Sequence, residues 1–292
     1  MIEISPRVAA AFAADGLVTR EQALDLGLSP GDVRYLCNSG SWMIVRRGVY
    51  TTAAIWEGLD EYVGRPRMRA HAAVRRTRRG WVLSHDSAAH ELGLPILDPP
   101  QRLVHLTRPG YTNAWTEHGV KHHLAHYSLR QVAHVDGLPV LDLPRTAVDI
   151  AREHGLNAGV VACDAVLRRG ASRADLEAAY AVMANWPHVR TVRECVALAD
   201  VGAETPLESL GRLLVIEAGI GTPDTQFPVG TRRGLKWCDI RVGNHIFELH
   251  GAIKYRGVGA GGLATRAADE VIRAERVRER LIADQGLGVT RL

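Results

Sequence analysis

Two carboxylates late in the chain have a spacing that lets them act together. Residues 237–255 read WCDIRVGNHIFELHGAIKY. Gly243-Asn244 is a two-residue hairpin signal. A turn there sets Val242 opposite His245, Arg241 opposite Ile246, Ile240 opposite Phe247 and Asp239 opposite Glu248. The two acids then share a face with Cβ atoms about 5 Å apart, a destabilising arrangement unless a cation lies between them. The candidate cations are a divalent metal, Arg241 and Lys254. Carboxylates converging from adjacent strands suit an oxygen-preferring ion such as Mg²⁺. In phosphodiester hydrolysis such an ion activates water and stabilises charge on the phosphate. The plainer alternative is a surface hairpin whose acids are solvated or paired with Arg241. Alternation makes Cys238, Ile240, Val242, Phe247 and Leu249 the core face, and leaves Trp237, Asp239, Arg241, Ile246, Glu248 and His250 on the polar one.

A second chemistry-bearing set is cationic. From Arg65 to Arg79 there are seven arginines and no acid. Such a run either neutralises phosphates along a nucleic acid or forms the solvated face of a helix. Arg46 and Arg47 lie earlier, in SWMIVRRGVYTT (residues 41–52), which alternates like a strand, breaks at 46–48 and resumes.

The elements that would position these arginines are short. A first helix is read over residues 6–16. A second starts at Thr19, where TREQ fits a capping box. Ser29 caps a third helix, with Pro30 at its first position and Asp32 in the first turn. Helix, turn, helix and arginine-tipped ribbon is the order of a winged helix-turn-helix, whose second helix of the pair enters the major groove. On that reading Arg34, Tyr35 and Asn38 face base edges while Arg46 and Arg47 grip phosphates. Residues 1–64 hold five basic against eight acidic residues, so this segment is not basic overall.

The middle of the chain reads as mixed α/β. A strand precedes a helix capped at Ser84, strand-like runs follow at 102–109 and 119–129, and residues 137–153 open a run of helices to about residue 199. Its histidines (His85, His90, His118, His122, His123, His126) invite a metal reading. His122 and His126 have the i, i+4 spacing of helical zinc ligands, but in a strand they stand about 13 Å apart. Surface or hydrogen-bonded histidines are therefore expected. From residue 201 the order is helix, strand, hairpin, loop, long helix over 265–284 and final strand. The first of these helices has Thr205 as cap, Pro206 at its start and Glu208 at the third position of a capping box. The loop 257–266 is glycine-rich but lacks the Lys and Ser/Thr of a phosphate loop.

Bulk properties set the frame. The chain has 292 residues, 46% hydrophobic and 23% charged, with a net charge of +4. That length suits two or three domains, taken as 1–60, 61–200 and 201–292. No apolar run is long enough to span a membrane, and MIEISPRVAAAFAADG lacks the features of a signal peptide, so no membrane association is expected. Four scattered cysteines without a C-x-x-C pair point to buried thiols in a reducing cytoplasm.

Helix, strand, the Asp239-Ile240 pair, turn and FELHGAIKY (247–255) together resemble the PD-(D/E)XK nuclease fold, and more narrowly Vsr-like endonuclease domains of actinobacterial proteins. Glu208-Ser209 and the basic helix containing ERVRERL (275–281) fall on the same pattern. The front half, LVTREQALDLGLS (17–29) with GSWMIVRRGVY (40–50), resembles the winged-helix domain of AbiEi-family antitoxins. Residues 83–94 and 137–151 resemble the middle of the same proteins.

The resemblance implies an α/β (α+β) chain with an N-terminal winged helix-turn-helix, a middle mixed α/β and helical domain, and a C-terminal restriction-endonuclease-like mixed sheet flanked by helices. It makes Asp239 and Glu248 metal-binding carboxylates, with Glu208 as a further acid or, on the capping reading, a structural one. His250 and Lys254 are the candidate catalytic bases. The chain departs from the nuclease pattern at His250, where a Lys is usual. Two functions follow: a Mg²⁺-dependent DNA endonuclease in defence, or an AbiEi-like antitoxin and transcriptional regulator, paired with a toxin, whose nuclease-like domain is inactive. DNA is the partner in both, and the cytoplasm the location.

Overall fold

The computed structural model describes residues 6–77, 80–249 and 268–292, with side chains from residue 273 in the last segment. Arg78 and Arg79 of the arginine run, the candidate bases His250 and Lys254, and the 257–266 loop lie outside the described residues. The fold is mixed α/β, as expected. It divides into two compact units, one of residues 1–94 and 98–150 and one of 95–97 and 151–292.

The first unit opens with α1 (Pro6–Ala11), β1 (Val18–Thr19), α2 (Arg20–Asp25), α3 (Pro30–Asn38), β2 (Trp42–Arg46) and β3 (Val49–Thr52). Local chemistry explains the boundaries. Thr19 accepts the Gln22 N–H while the Gln22 side chain accepts the Thr19 N–H, and Ser29 and Asp32 repeat that exchange at α3. Each cap satisfies two of the donors that a helix start leaves bare, typically about 1 kcal/mol for the cap residue. The strands form a sheet of order β1-β3-β2. Trp42 is the largest side chain in its core, edge-on to Phe12 at 5.3 Å and beside Tyr50 at 5.6 Å. Helix, helix and two-stranded wing are the winged helix-turn-helix read from the sequence.

Next come α4 (Ala53–Gly58), α5 (Gly64–Val74), β4 (Val82–Leu83), α6 (His85–Leu92), β5 (Val104–Arg108), β6 (Asn113–Glu117), β7 (Val120–Leu124), a 3₁₀ turn at Leu129–Gln131, β8 (Val132–Val135) and β9 (Leu138–Leu141). These strands form one six-stranded sheet of order β6-β7-β5-β4-β9-β8. Met68 and Ala72 of α5 bury against Leu17 and Val49 of the winged helix. Ala70, Ala73 and Val74 pack with Leu83, Leu106 and Val140 of the sheet. The helix is therefore clamped between wing and sheet, which fixes where its arginines point.

Three local expectations need correction. Ser84 stands at the start of α6 but its hydroxyl makes no helix cap; it accepts from Thr107 at 2.7 Å and engages His85 Nδ1 at 2.9 Å. Residues 113–117, given no element above, form an edge strand. The stretch from 137, read as opening helices, first completes the β8–β9 hairpin. Its turn is Asp136-Gly137 with φ of 49° and 79°, a pair of left-handed positions that Asp-Gly accommodates.

α7 (Leu143–His154) carries the chain across the division into α8 (Leu156–Arg168), α9 (Arg173–Ala181), α10 (Val189–Leu198) and α11 (Pro206–Glu217). α8 is buried along most of its length. Gly159 lets it approach its neighbours closely, since a Cβ there would lie 2.5 Å from Cys195 Sγ and 2.6 Å from Ala151 Cβ. Asp164 of α8 holds Arg212 of α11 through two bonds of 3.0 and 3.1 Å, both side chains almost wholly buried.

The unit ends with β10 (Asp224–Thr231), β11 (Gly234–Val242), β12 (His245–Glu248), α12 (Ala268–Ala283) and β13 (Gly288–Arg291), in a sheet of order β10-β11-β12-β13 with β13 parallel to β12. The hairpin register is the one read from Gly243-Asn244: Val242 pairs His245, Arg241 pairs Ile246 and Ile240 pairs Phe247. Its supposed polar face is not polar throughout. Leu249 packs on Gly211 of α11, while Ile246 is fully buried with Ile282 of α12 and with Cys238. Strict alternation separates Cys238 from Ile246. The β10–β11 ladder skips the Gln226–Asp239 position, where Gln226 takes φ +48°, and such an irregularity re-aims neighbouring side chains.

Candidate nucleic-acid interface and acidic pocket

On α3, Val33 and Leu36 point into the core, which leaves Arg34, Tyr35 and Asn38 exposed on the opposite side. Tyr35 keeps half of its surface in solvent. A buried position every third or fourth residue dictates this division in any amphipathic helix. The three residues therefore form an unobstructed polar and aromatic strip at the end of a helix held by caps at its start.

The wing arginines have company that local patterning did not reveal. Arg46, Arg47, Arg69, Arg76, Arg102 and His118 line one cavity of about 650 Å³. Arg46 donates to the His118 carbonyl at 2.9 Å. Burial, and then the nearby Arg76 charge, lower the Arg46 pKa below its ordinary value, against the opposing charge of Glu117. Crowding of guanidinium groups is unfavourable by itself and is relieved further by an anion.

The arginine run thus splits by role. Arg67 is tied to Glu91 and Asp136, and Arg75 to Asp15 at 2.5 Å. Arg65 and Arg69 stack on Trp56. Of the described members, Arg69 and Arg76 face the groove. Arg102 also reaches it while paired with Asp98 and Glu61. The run itself was the visible signal; its division was not, because the acids that claim Arg67 and Arg75 come from distant segments.

In the second unit, Asp239 and Glu248 line one pocket of about 630 Å³ with Glu204, Gln226, Trp237, Glu275 and Arg278. The β11–β12 ladder stops at Ile240–Phe247, one position before these two acids, and the cation beside Glu248 is one that the sequence did not single out. Arg278 Nη2 lies 3.0 Å from Glu248 Oε1 and also donates to the Trp237 carbonyl. Arg241, one of the three candidate cations, instead donates to the Gly243 carbonyl, approaches Asp224 and stacks on Phe227. Asp239 accepts the Leu249 N–H at 2.7 Å.

Glu208 is buried, with 8% of its surface exposed. Its carboxylate accepts from the Glu204 N–H at 2.8 Å, the Thr205 hydroxyl at 2.9 Å and the Gln226 side chain at 3.3 Å. The capping box is thus altered: Thr205 receives the Glu208 N–H, but Glu208 returns to Glu204 rather than to the Thr205 N–H. Burial raises the Glu208 pKa. The Glu204 and Thr205 bonds oppose that rise, and the Asp239 charge adds to it. Burial and the Glu248 charge push the Cys238 thiol up to about 12.

As a Mg²⁺ site this set fits poorly. Glu248 is engaged by Arg278, Asp239 by the Leu249 amide and Glu208 by its helix start. Among the described residues, ligand atoms close to within 4.8 Å of one another at His85, His105 and His123, and not at these three acids. A hard ion needing several oxygens at about 2.1 Å would first have to displace Arg278.

The order of elements from α1 to β3 now meets the comparison with known families. Residues 7–53 match the family described as transcriptional regulator, AbiEi antitoxin. The AbiEi-like segment runs from the second residue of α1 to the first of α4 and contains α3 and both wing arginines. No curated protein matches the chain. Among solved structures the chain is similar to the RV2827C protein from Mycobacterium tuberculosis, with 17% identity, a TM-score of 0.41, and coverage of 67% of this chain and 81% of that one. No helix among the described residues is long and apolar enough to cross a membrane.

Proposed function

We propose that the chain is a DNA-binding transcriptional regulator of the AbiEi antitoxin kind. The observation that carries this reading is the match of residues 7–53, a segment in which α3 exposes Arg34, Tyr35 and Asn38 beside the wing. In this reading α3 enters the major groove, where Arg34 pairs with guanine edges, Asn38 with adenine, and Tyr35 packs on the backbone or a thymine methyl. Arg46 and Arg47 hold phosphates, joined by Arg69 and Arg76 of the same groove. These additions answer the acidic balance of the first 64 residues: further positive charge comes from α5 and the turn after it, outside the winged helix. A toxin encoded beside the regulator is the protein partner this reading implies.

The second unit, with the PD-(D/E)XK resemblance, is in this reading a nuclease-like domain without activity. Arg278 neutralises Glu248 where a nuclease would hold metal. A second reading, Mg²⁺-dependent cleavage, draws on one observation: Asp239, Glu248 and Glu275 line a single open pocket. It assigns Glu208, Asp239 and Glu248 to the metal and the base role to His250 or Lys254.

One experiment separates the two. Promoter DNA from upstream of the gene is incubated with the full chain in Mg²⁺ or Mn²⁺, and both retardation and cleavage are read. Retardation without cleavage, unchanged in Asp239→Ala/Glu248→Ala, supports the regulator. Cleavage lost in that double variant supports the nuclease, and absence of retardation overturns both.

A further inference from the structure

The first unit holds a polar cluster that the proposed function does not use. His85 at the start of α6, His105 on β5 and His123 on β7 are all buried, with 1%, 1% and 3% of their surface exposed. Their rings crowd together: His85 stacks on His123 with centroids 4.0 Å apart, and His105 lies 5.1–5.2 Å from both. Each offers a ligand atom, and these atoms all lie within 4.8 Å of one another. The cluster is assembled by topology. β5 and β7 are parallel neighbours with Thr107 opposite His123, so His105 and His123 share a face, and α6 lies on it.

We infer that His85, His105 and His123 form a binding site for a divalent transition metal of the Zn²⁺ class. Three imidazoles select Zn²⁺, Co²⁺, Ni²⁺ or Cu²⁺ over Mg²⁺ or Ca²⁺. The surroundings orient the rings as metal ligands require. Asp86 Oδ2 lies 3.6 Å from His105 Nε2, and a carboxylate on that side keeps the proton there and turns Nδ1 towards the metal. That Nδ1 shares a 3.0 Å hydrogen bond with His123 Nε2, and an incoming ion takes both nitrogens by displacing the proton between them. Ser84 Oγ engages His85 Nδ1 and assigns ligation to its Nε2. Ligand nitrogens of a tetrahedral zinc site stand about 3.4 Å apart, so closure needs one ring to move by roughly 1.5 Å.

The backbone supports the assignment. His85 takes φ +49°, a left-handed conformation that is strained in a non-glycine residue and persists where the surrounding structure holds it. Here it swings the imidazole over His123. Ser84, Asp86, Ser87 and Thr107 are buried beside the three histidines. Such a concentration of polar groups in a core is costly unless each is bonded, and a cation at its centre engages three of them at once. The ion would tie α6, β5 and β7 together, with water or hydroxide in the fourth position. Helical i, i+4 spacing could not have found it, because the ligands come from three elements.

The test uses the untagged full chain, stripped by chelator and titrated with Zn²⁺ and, separately, Co²⁺. One equivalent of each binds, Co²⁺ gives the visible bands of a tetrahedral nitrogen site, and X-ray absorption of the Zn²⁺ form counts three imidazoles. A hundredfold excess over Kd raises the Tm by about 5–10 °C. His105→Gln and His123→Gln lose the bound ion, while His122→Gln, whose ring stacks on Trp115 outside the cluster, keeps it. The proposal is overturned by a folded wild type that takes up no ion, by fewer than three imidazoles around zinc, or by unchanged binding in His105→Gln. Should the variants fail to fold, the imidazole count on wild type decides alone.

Discussion

Removing Arg69 and Arg76 together tests whether the groove beside the wing holds DNA backbone. Arg67 and Arg75 are already committed to acids, and Arg102 is shared with Asp98 and Glu61. That leaves Arg46, Arg47, Arg69 and Arg76 of the groove for phosphate. Four neutralised phosphates give a slope of log K against log salt of about −3.6, so affinity falls about 150-fold between 50 and 200 mM salt. In Arg69→Ala/Arg76→Ala the slope drops to about −1.8 and the fall over the same range to about 12-fold. Fluorescence anisotropy with a labelled duplex at several salt concentrations reads both numbers. Arg67→Ala is the control: it breaks the contact with buried Glu91, lowers the Tm and leaves the slope unchanged. A slope that stays near the wild-type value in the double variant would refute the placement of backbone in this groove.

Three further outcomes concern the scaffold. Arg212→Leu leaves Asp164 buried without its cation and costs about 3–5 kcal/mol in urea unfolding, whereas replacing both partners by apolar residues recovers most of it. Gly159→Ala drives a methyl into Cys195 and Ala151 and costs about 1–3 kcal/mol by the same measurement. Glu91 governs an acid transition. Burial alone would raise its carboxyl, but the His71 and Arg67 hydrogen bonds outweigh that and hold it below its ordinary value of 4.5. A depressed folded pKa stabilises above 4.5 and loses that contribution as pH falls through the folded value. The Tm difference between wild type and Glu91→Gln is therefore full at neutral pH and shrinks on acidification; a difference that grew in acid would contradict the sign.

Local signals were legible wherever local chemistry decides. Thr19, Ser29 and Thr205 marked helix starts because a cap is satisfied within four residues, and Gly243-Asn244 set the hairpin register because a two-residue turn leaves no choice. What escaped was set at long range. β6 is exposed at every residue, so it carries no apolar alternation to read. The β8–β9 hairpin carries a local signal, Asp136-Gly137, but it is short and stands directly ahead of a strongly helical run. The cation beside Glu248 was sought among nearby residues, yet it is Arg278, supplied by α12 thirty residues on. The histidine cluster lay hidden for the same reason, since neither His105 nor His123 has a ligand partner at helical spacing.

Sequence discrimination by α3 is the most direct measure of the account. Affinities for the promoter duplex and for a scrambled duplex of equal length are compared at one salt concentration, in wild type and in Arg34→Ala and Asn38→Ala. Each substitution should lower the specific-to-scrambled ratio by about 1–3 kcal/mol, roughly 5- to 150-fold, while binding to the scrambled duplex changes little. A ratio unchanged in both variants would contradict recognition through this helix.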